Sequence, residues 1–265
     1  MNEKQKERLL QIIDESNNIV FFGGAGVSTA SGIPDFRSKN GLYNQKDVQF
    51  EKYSPEYLLS HSCLYDNPKV FFEFYRQKLD TRGIEPNIAH TTLAKLEEIG
   101  KLKAVITQNI DGLHQLAGSK EVYEIHGTTQ RNYCNECGKE YPTDYIFECG
   151  EDIPRCDCKW NGIIRPEITL YEEGLPNEAV ANSIQAIIKA DTLIIAGTSL
   201  NVYPAASYIS YFGGKYLIIL NMERSEKMFA IEQRFKKDFG TETLFIQGDM
   251  SEAFVAILRH ISEVK

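Results

Sequence analysis

The stretch Asn18-Ile19-Val20-Phe21-Phe22-Gly23-Gly24-Ala25-Gly26-Val27-Ser28 decides the fold. Its first half is apolar on both faces of an extended chain, the pattern of a strand in the middle of a covered parallel sheet. Its second half is a glycine-rich turn, which lets backbone N–H groups approach a phosphate while a following helix N-terminus adds its dipole. Working outward, strands of the same kind are predicted at Leu102–Thr107, Glu121–Glu124, Thr192–Ala196, Tyr216–Asn221 and Thr243–Ile246. Helices are predicted over residues 3–15, Ala89–Ile99 and Glu178–Lys189, and after the capping pattern Asp249-x-x-Glu252. This alternation predicts an α/β fold, a Rossmann-like doubly wound parallel sheet.

Two stretches break the rhythm. Residues 38–87 carry Pro55, Pro68 and Pro86 and many aromatics, with Phe71, Phe72, Phe74 and Tyr75 at helical spacing that suits a core. Residues 130–162 hold five of the six cysteines and few large aliphatics, too few to bury a core without a metal staple. Both are read as insertions that build a smaller lobe on the ligand edge of the sheet. The large lobe is then 1–37, 88–129 and 163–265, with 38–87 a helical module and 130–162 a zinc ribbon.

Composition narrows the class. With 265 residues, 42% hydrophobic and 25% charged, the chain is an ordinary globular protein. A formal net charge of −8 without a Lys/Arg block argues against direct nucleic-acid binding and suits a cationic peptide partner. The apolar runs are too short to cross a bilayer, and the polar N-terminus is no signal peptide. Cysteines clustered as C-x-x-C and C-x-C, without a secretory leader, read as metal ligands in a reducing cytoplasm.

Those cysteines are Cys134, Cys137, Cys156 and Cys158. Four thiolates around Zn2+ leave no open position, so the metal is structural. Cys149, between the pairs, is an alternative ligand, and otherwise it and Cys63 are bystanders. Strand-end positions supply the remaining candidates. Gln108, Asn109 and Asp111 follow one predicted strand and His126 follows another, so all should converge on the crevice with the Gly24 loop. Imidazole suits a general base near neutrality. The dinucleotide fingerprint is incomplete: Thr29 stands where a third small residue is expected, and no acidic residue ends a second strand about 20 residues on. Hydride transfer is therefore disfavoured. Taken alone, the glycines also fit a bare strand–helix turn.

The ordered motifs GAGVSTASGIPDFR (24–37), PNIAH (86–90), TQNIDGLH (107–114), EIHG (124–127), the cysteine pairs, GIIRPEITLYEEGLP (162–176) and GTSLNVYPAA (197–206) resemble the sirtuin family, bacterial type, over nearly the whole chain. The resemblance implies an NAD-dependent protein-lysine deacetylase that consumes NAD as co-substrate, acts on acetyl-lysine proteins or peptides and carries structural Zn2+. It implies that Gly24, Ala25 and Gly26 cradle the pyrophosphate with Thr29 and Arg37 nearby, and that Phe36 guards the ribose. Gln108 and Asn109 would hold ribose hydroxyls and a water, while Ile110 and Asp111 would line the nicotinamide pocket, Asp111 bonding the carboxamide. Thr198, Ser199 and Asn221 would hold the adenosine half, with Asp249 near the adenine.

The implied chemistry expels nicotinamide and captures the ribose with the acyl oxygen. His126 then activates a ribose hydroxyl, and water finally releases free lysine. Two departures stand out. The second cysteine pair is C-x-C, and the segment implied to pair with the substrate backbone reads Tyr171-Glu172-Glu173, with Glu172 where the family has glycine. A Tyr-x-x-Arg pair that would receive an acidic acyl group reads Tyr75-x-x-Lys78, which predicts a neutral acyl group. A mono-ADP-ribosyltransferase and a non-catalytic NAD-sensing module on the same fold are the competing readings.

Overall fold

The computed structural model describes residues 1–36, 41–42 and 49–263. Six strands form one parallel sheet: β1 (Ile19–Gly23), β2 (Leu102–Thr107), β3 (Val122–Glu124), β7 (Thr192–Ala196), β8 (Tyr216–Asn221) and β9 (Glu242–Gln247). Their order is β3-β2-β1-β7-β8-β9. The chain thus runs outward from β1 to one side and later returns to the other. A crevice opens between β1 and β7, at the carboxyl ends of the strands.

Alternation along β1 explains why its sequence is apolar throughout. Ile19 and Phe21 join one core with Leu9, Ile12 and Ile13 of α1 (Glu3–Glu15), Leu93 and Leu96 of α5 (Ile88–Glu98), and Phe254 and Ile257 of α10 (Met250–Glu263). Val20 and Phe22 join the opposite core with Ile187 of α8 (Asn177–Lys189) and Met228 and Phe235 of α9 (Glu226–Phe239). Each fully buried side chain of this size contributes roughly 1.5–3 kcal/mol. Helix α9 has no counterpart in the sequence reading. Its charged face hides a thin apolar stripe, although a Ser225 cap and Gly240 in the left-handed region (φ 67°) mark its ends.

Beside the sheet, α2 (Pro55–Leu58), α3 (His61–Asp66) and α4 (Pro68–Lys78) pack a separate core around Phe71, Phe72, Phe74 and Tyr75. A three-stranded antiparallel sheet, β5-β4-β6, holds the cysteines, with β4 (Gly127–Cys134), β5 (Glu140–Tyr141) and β6 (Ile164–Ile168). Helices α6 (Leu113–Leu116) and α7 (Tyr145–Glu148) are single turns. No described helix is long and apolar enough to cross a membrane.

Candidate functional site

One cleft of about 1410 Å³ gathers the loops that leave the carboxyl ends of the parallel strands. Of the residues singled out from sequence, Gly24, Ala25, Gly26, Thr29, Phe36, Gln108, Asn109, Ile110, His126, Thr198, Ser199, Asn221 and Asp249 line it. Arg37 lies outside the described residues. Asp111 is buried next to the lining residues Asn109 and Ile110. Among the described lining residues there is no Lys or Arg, and the polar groups they offer an anionic ligand are N–H and O–H donors.

The glycine loop works differently from the sequence expectation. The Gly24 N–H donates to the Ala196 carbonyl at 3.2 Å and the Gly26 N–H to the Gly197 carbonyl at 2.8 Å. A Cβ on Gly26 would sit 2.8 Å from Gly197 Cα, and one on Gly24 2.8 Å from the Thr198 Cβ. Both glycines are therefore dictated by the close approach of the β1 and β7 turns. Nor does a long helix follow: two short 3₁₀ turns, Ala25–Val27 and Thr29–Ser31, end at Gly32, whose φ is 92°. Aligned peptide dipoles are too few there to sum to a macrodipole.

The polar wall is a connected network. The Asn109 amide donates to Ser28 Oγ at 2.9 Å, and the Ser28 hydroxyl donates to Asp111 Oδ2 at 2.6 Å. The other Asp111 oxygen accepts the Leu113 N–H at 2.9 Å. Gln108 donates to Thr198 Oγ1 at 3.0 Å, which ties the β2 and β7 ends together across β1. Asn221 reaches the Thr198 carbonyl at 3.3 Å, and Asp249 caps α10 by accepting the Ser251 N–H at 2.8 Å.

His126 is oriented by its backbone surroundings. Its Nδ1 lies 2.9 Å from the Gln108 carbonyl. A carbonyl only accepts, so Nδ1 carries the proton and Nε2 keeps the lone pair. The next residue, Gly127, has φ 73°, and a Cβ there would meet the Glu167 carbonyl at 2.1 Å. The sharp entry into β4 thus requires glycine and sets the ring at the cleft. His61 and His260 instead pair with Glu173 and Asp14, at 3.2 and 2.8 Å.

Behind the cleft, His90 and His114 meet edge to face with ring centroids 4.7 Å apart. Burial pushes both imidazoles well below their ordinary pKa, His114 to about 3 with His90 adding to the effect. Both are neutral at working pH. Asn87, at the head of the same helix, donates to the Val27 carbonyl at 2.8 Å and to Ser31 Oγ at 3.0 Å, bracing the glycine loop. The sequence reading gave Ser28 and Asn87 no role. The signals for Asn87 were its place in the PNIAH motif and its capping pattern with His90, and neither shows a loop contact that joins residues 60 apart.

The metal site assembles from four residues. The Sγ atoms of Cys134, Cys137, Cys156 and Cys158 all lie within 4.8 Å of one another. Cys134–Cys158 is 3.9 Å and Cys137–Cys156 is 3.7 Å. A tetrahedron with Zn–S bonds of about 2.3 Å has edges of about 3.8 Å, so the set fits one Zn2+. The Glu136 and Cys158 N–H groups each point at a sulfur at 3.4 Å, and the Tyr141 hydroxyl donates to Cys156 at 3.0 Å. Such outer donors stabilise thiolates. Cys149 lies instead beside Arg76, and Cys63 is buried in the helical core.

Comparison with known proteins agrees with this architecture. Residues 24–204 match the profile of the Sir2 family. An NAD-dependent protein deacetylase of Clostridium acetobutylicum is 57% identical over 80% of this chain and 86% of its own. One from Clostridium perfringens is 55% identical over 83% and 88%. Among solved structures, a Sir2 bound to p53 peptide and NAD+ matches with TM-score 0.79 at 35% identity over the full length of both chains. A Sir2 bound to acetylated peptide matches with TM-score 0.80 at 34% identity over 99% of both.

Proposed function

The chain belongs to the Sir2 family and is an NAD-dependent protein deacetylase, and from that premise we propose how its cleft divides the work. NAD lies across the β1/β7 crevice as co-substrate. Its adenosine half takes Thr198, Ser199, Asn221 and Asp249, and its diphosphate takes the turn from Ala25 to Thr29, with Arg37 beside it. Phe36 covers the nicotinamide ribose, and Ile110 lines the nicotinamide pocket. The acetyl oxygen of the substrate lysine replaces nicotinamide at the ribose carbon. His126 Nε2 then takes the proton of a ribose hydroxyl so that it can attack the acyl carbon. Asn109 holds the ribose side and the water that completes acyl transfer.

Asp111 contributes through Ser28. By accepting the hydrogen bond of the Ser28 hydroxyl it turns the Ser28 lone pairs toward the Asn109 amide, which fixes Asn109. The observation that carries this reading is the Nδ1 bond of His126, because it leaves the basic nitrogen in the cleft shared with the glycine loop. The four-thiol Zn2+ site stabilises the small lobe and supplies no reacting group. We place the enzyme in the reducing cytoplasm, where such thiolates persist.

The test is incubation of purified protein with an acetyl-lysine peptide and NAD. Nicotinamide, deacetylated peptide and acetyl-ADP-ribose should appear in equal amounts. Nicotinamide release with ADP-ribose attached to protein, and no deacetylated peptide, would overturn the assignment in favour of ADP-ribosyl transfer.

A further inference from the structure

One edge of the cleft is built from Tyr171, Glu172 and Glu173, which follow β6. This edge is anchored to the helical module: the Tyr171 N–H donates to the Leu59 carbonyl and the His61 N–H to the Tyr171 carbonyl, both at 3.0 Å. Glu172 has φ 76°, in the left-handed region that disfavours any residue with a Cβ. A glycine would sit there without cost. Something must offset the strain, and the side chain supplies it. Glu172 Oε2 accepts both the Ser62 N–H at 2.9 Å and the Ser62 hydroxyl at 2.7 Å.

Two hydrogen bonds on one oxygen pin the carboxylate, and Oε1 has no partner among the described residues. Its neighbour differs in kind. Burial would raise the Glu173 pKa, but Arg165, the Leu170 N–H and His61 hold it down to about 2. The Glu173 carboxylate is spent inside the protein. Glu172 is exposed, oriented in advance and fronts the cleft. The described lining also carries Asp35, Glu223 and Asp249 and no Lys or Arg, and His61, paired with Glu173, is the neighbouring group that acts electrostatically on Glu172.

We propose that Glu172 is a specificity-determining residue that selects acetyl-lysine flanked by lysine or arginine. This rests on the deacetylase reading above. A peptide seated against this edge of the cleft brings a side chain that flanks its acetyl-lysine to the rim beside Glu172. A cation there meets a carboxylate whose conformational freedom is already lost, so pairing costs little further entropy.

The experiment compares kcat/KM for acetyl-lysine peptides that differ only in one flanking residue, scanned on both sides as Arg, Gln or Glu. At one flanking position the Arg peptide should be favoured over the Gln peptide by about two- to fivefold, the range of a single exposed ion pair, and over the Glu peptide by more. Raising the salt concentration should compress the ratio. Glu172→Gln keeps an oxygen for Ser62 and removes the charge, so its ratio should fall toward one. Glu172→Gly should also lose the preference. No preference in the native enzyme overturns the proposal. So does a ratio retained in Glu172→Gln, and a ratio lost in Glu172→Gly alone would assign the effect to backbone shape. Failure of every acetyl peptide to react would instead overturn the deacetylase reading itself.

Discussion

The parallel sheet and the cysteine-bearing ribbon are held together by different forces. Each face of the sheet buries aliphatic and aromatic side chains from helices on both sides. The ribbon's own fully buried cluster is Cys134, Cys156 and Ile164, with Tyr141, Tyr145 and Cys158 partly covered. Hydrophobic burial suffices for the first and not for the second, where thiolate–metal bonds take its place. The cleft lies at the sheet's carboxyl edge, so its side chains are aimed by rigid strands. The ribbon instead closes one end of the strand pair β4–β6, at Cys134 and Ile164, whose other end lies beside His126 at Gly127 and Ile168.

The largest test of this contrast is metal removal. Chelation of Zn2+, or Cys156→Ser, should abolish deacetylation and expose the ribbon to protease, because structural zinc supplies on the order of 10 kcal/mol to small metal-dependent folds. The parallel sheet should keep its far-UV circular dichroism. Global unfolding, or an active zinc-free protein, would break the comparison.

His126→Ala is the converse. It should cut kcat by about 10²–10⁴-fold, the usual effect of losing a general base, with little change in melting temperature. Near-normal acetyl-ADP-ribose formation by this variant would remove the base assignment.

Acid should strike the sheet side through His90 and His114. Their folded-state pKa values are depressed, so the unfolded chain binds protons near the ordinary pKa of about 6.5 while the native protein stays unprotonated. The stabilising effect is full above about 6.5 and fades as pH falls toward the His114 value of about 3. Denaturant unfolding at pH 7 and pH 5 should differ by on the order of 2 kcal/mol or more, and His114→Gln should reduce that difference. Equal stability at both pH values would contradict the buried neutral pair.

Ser28→Ala leaves a buried carboxylate and an amide without their shared partner. We expect a loss of about 1.5–3 kcal/mol, read as roughly 10–100-fold in kcat/KM with NAD. An unchanged value would mean Asn109 needs no bracing.

The smallest effect concerns the acyl group. Tyr75 is fully buried, stacked between Phe71 and Phe147, and absent from the cleft wall. Its hydroxyl is buried away from the described cleft lining, and Lys78 lacks the fork of arginine. Acetyl-lysine should exceed succinyl-lysine by about tenfold or more in kcat/KM, since an unpaired carboxylate must be desolvated. Equal values would reveal another anion partner.

Much was legible from local pattern. β7 and β8 lie where two-sided apolar runs placed them, because a strand covered on both faces leaves few polar positions, and β2 follows the same pattern apart from its exposed Lys103. The strand ends then located Gln108, Asn109 and His126. Helix α9 escaped because its buried stripe is narrow and interrupted by Glu232, which is buried and pairs with the exposed Arg224.

What the sequence determined by itself is the order of the strands' apolar runs, the thiol spacing and the residue types at each strand end, since these depend on neighbours a few positions away. Only the tertiary structure decided what the glycines are for, which way Asp111 faces and what holds Glu172 in the left-handed region. Those answers depend on Gly197, Ser28 and Ser62, atoms brought within about 3 Å by chain segments far apart in sequence. No periodicity encodes a contact of that kind, because its energy comes from the meeting of two loops and not from either one.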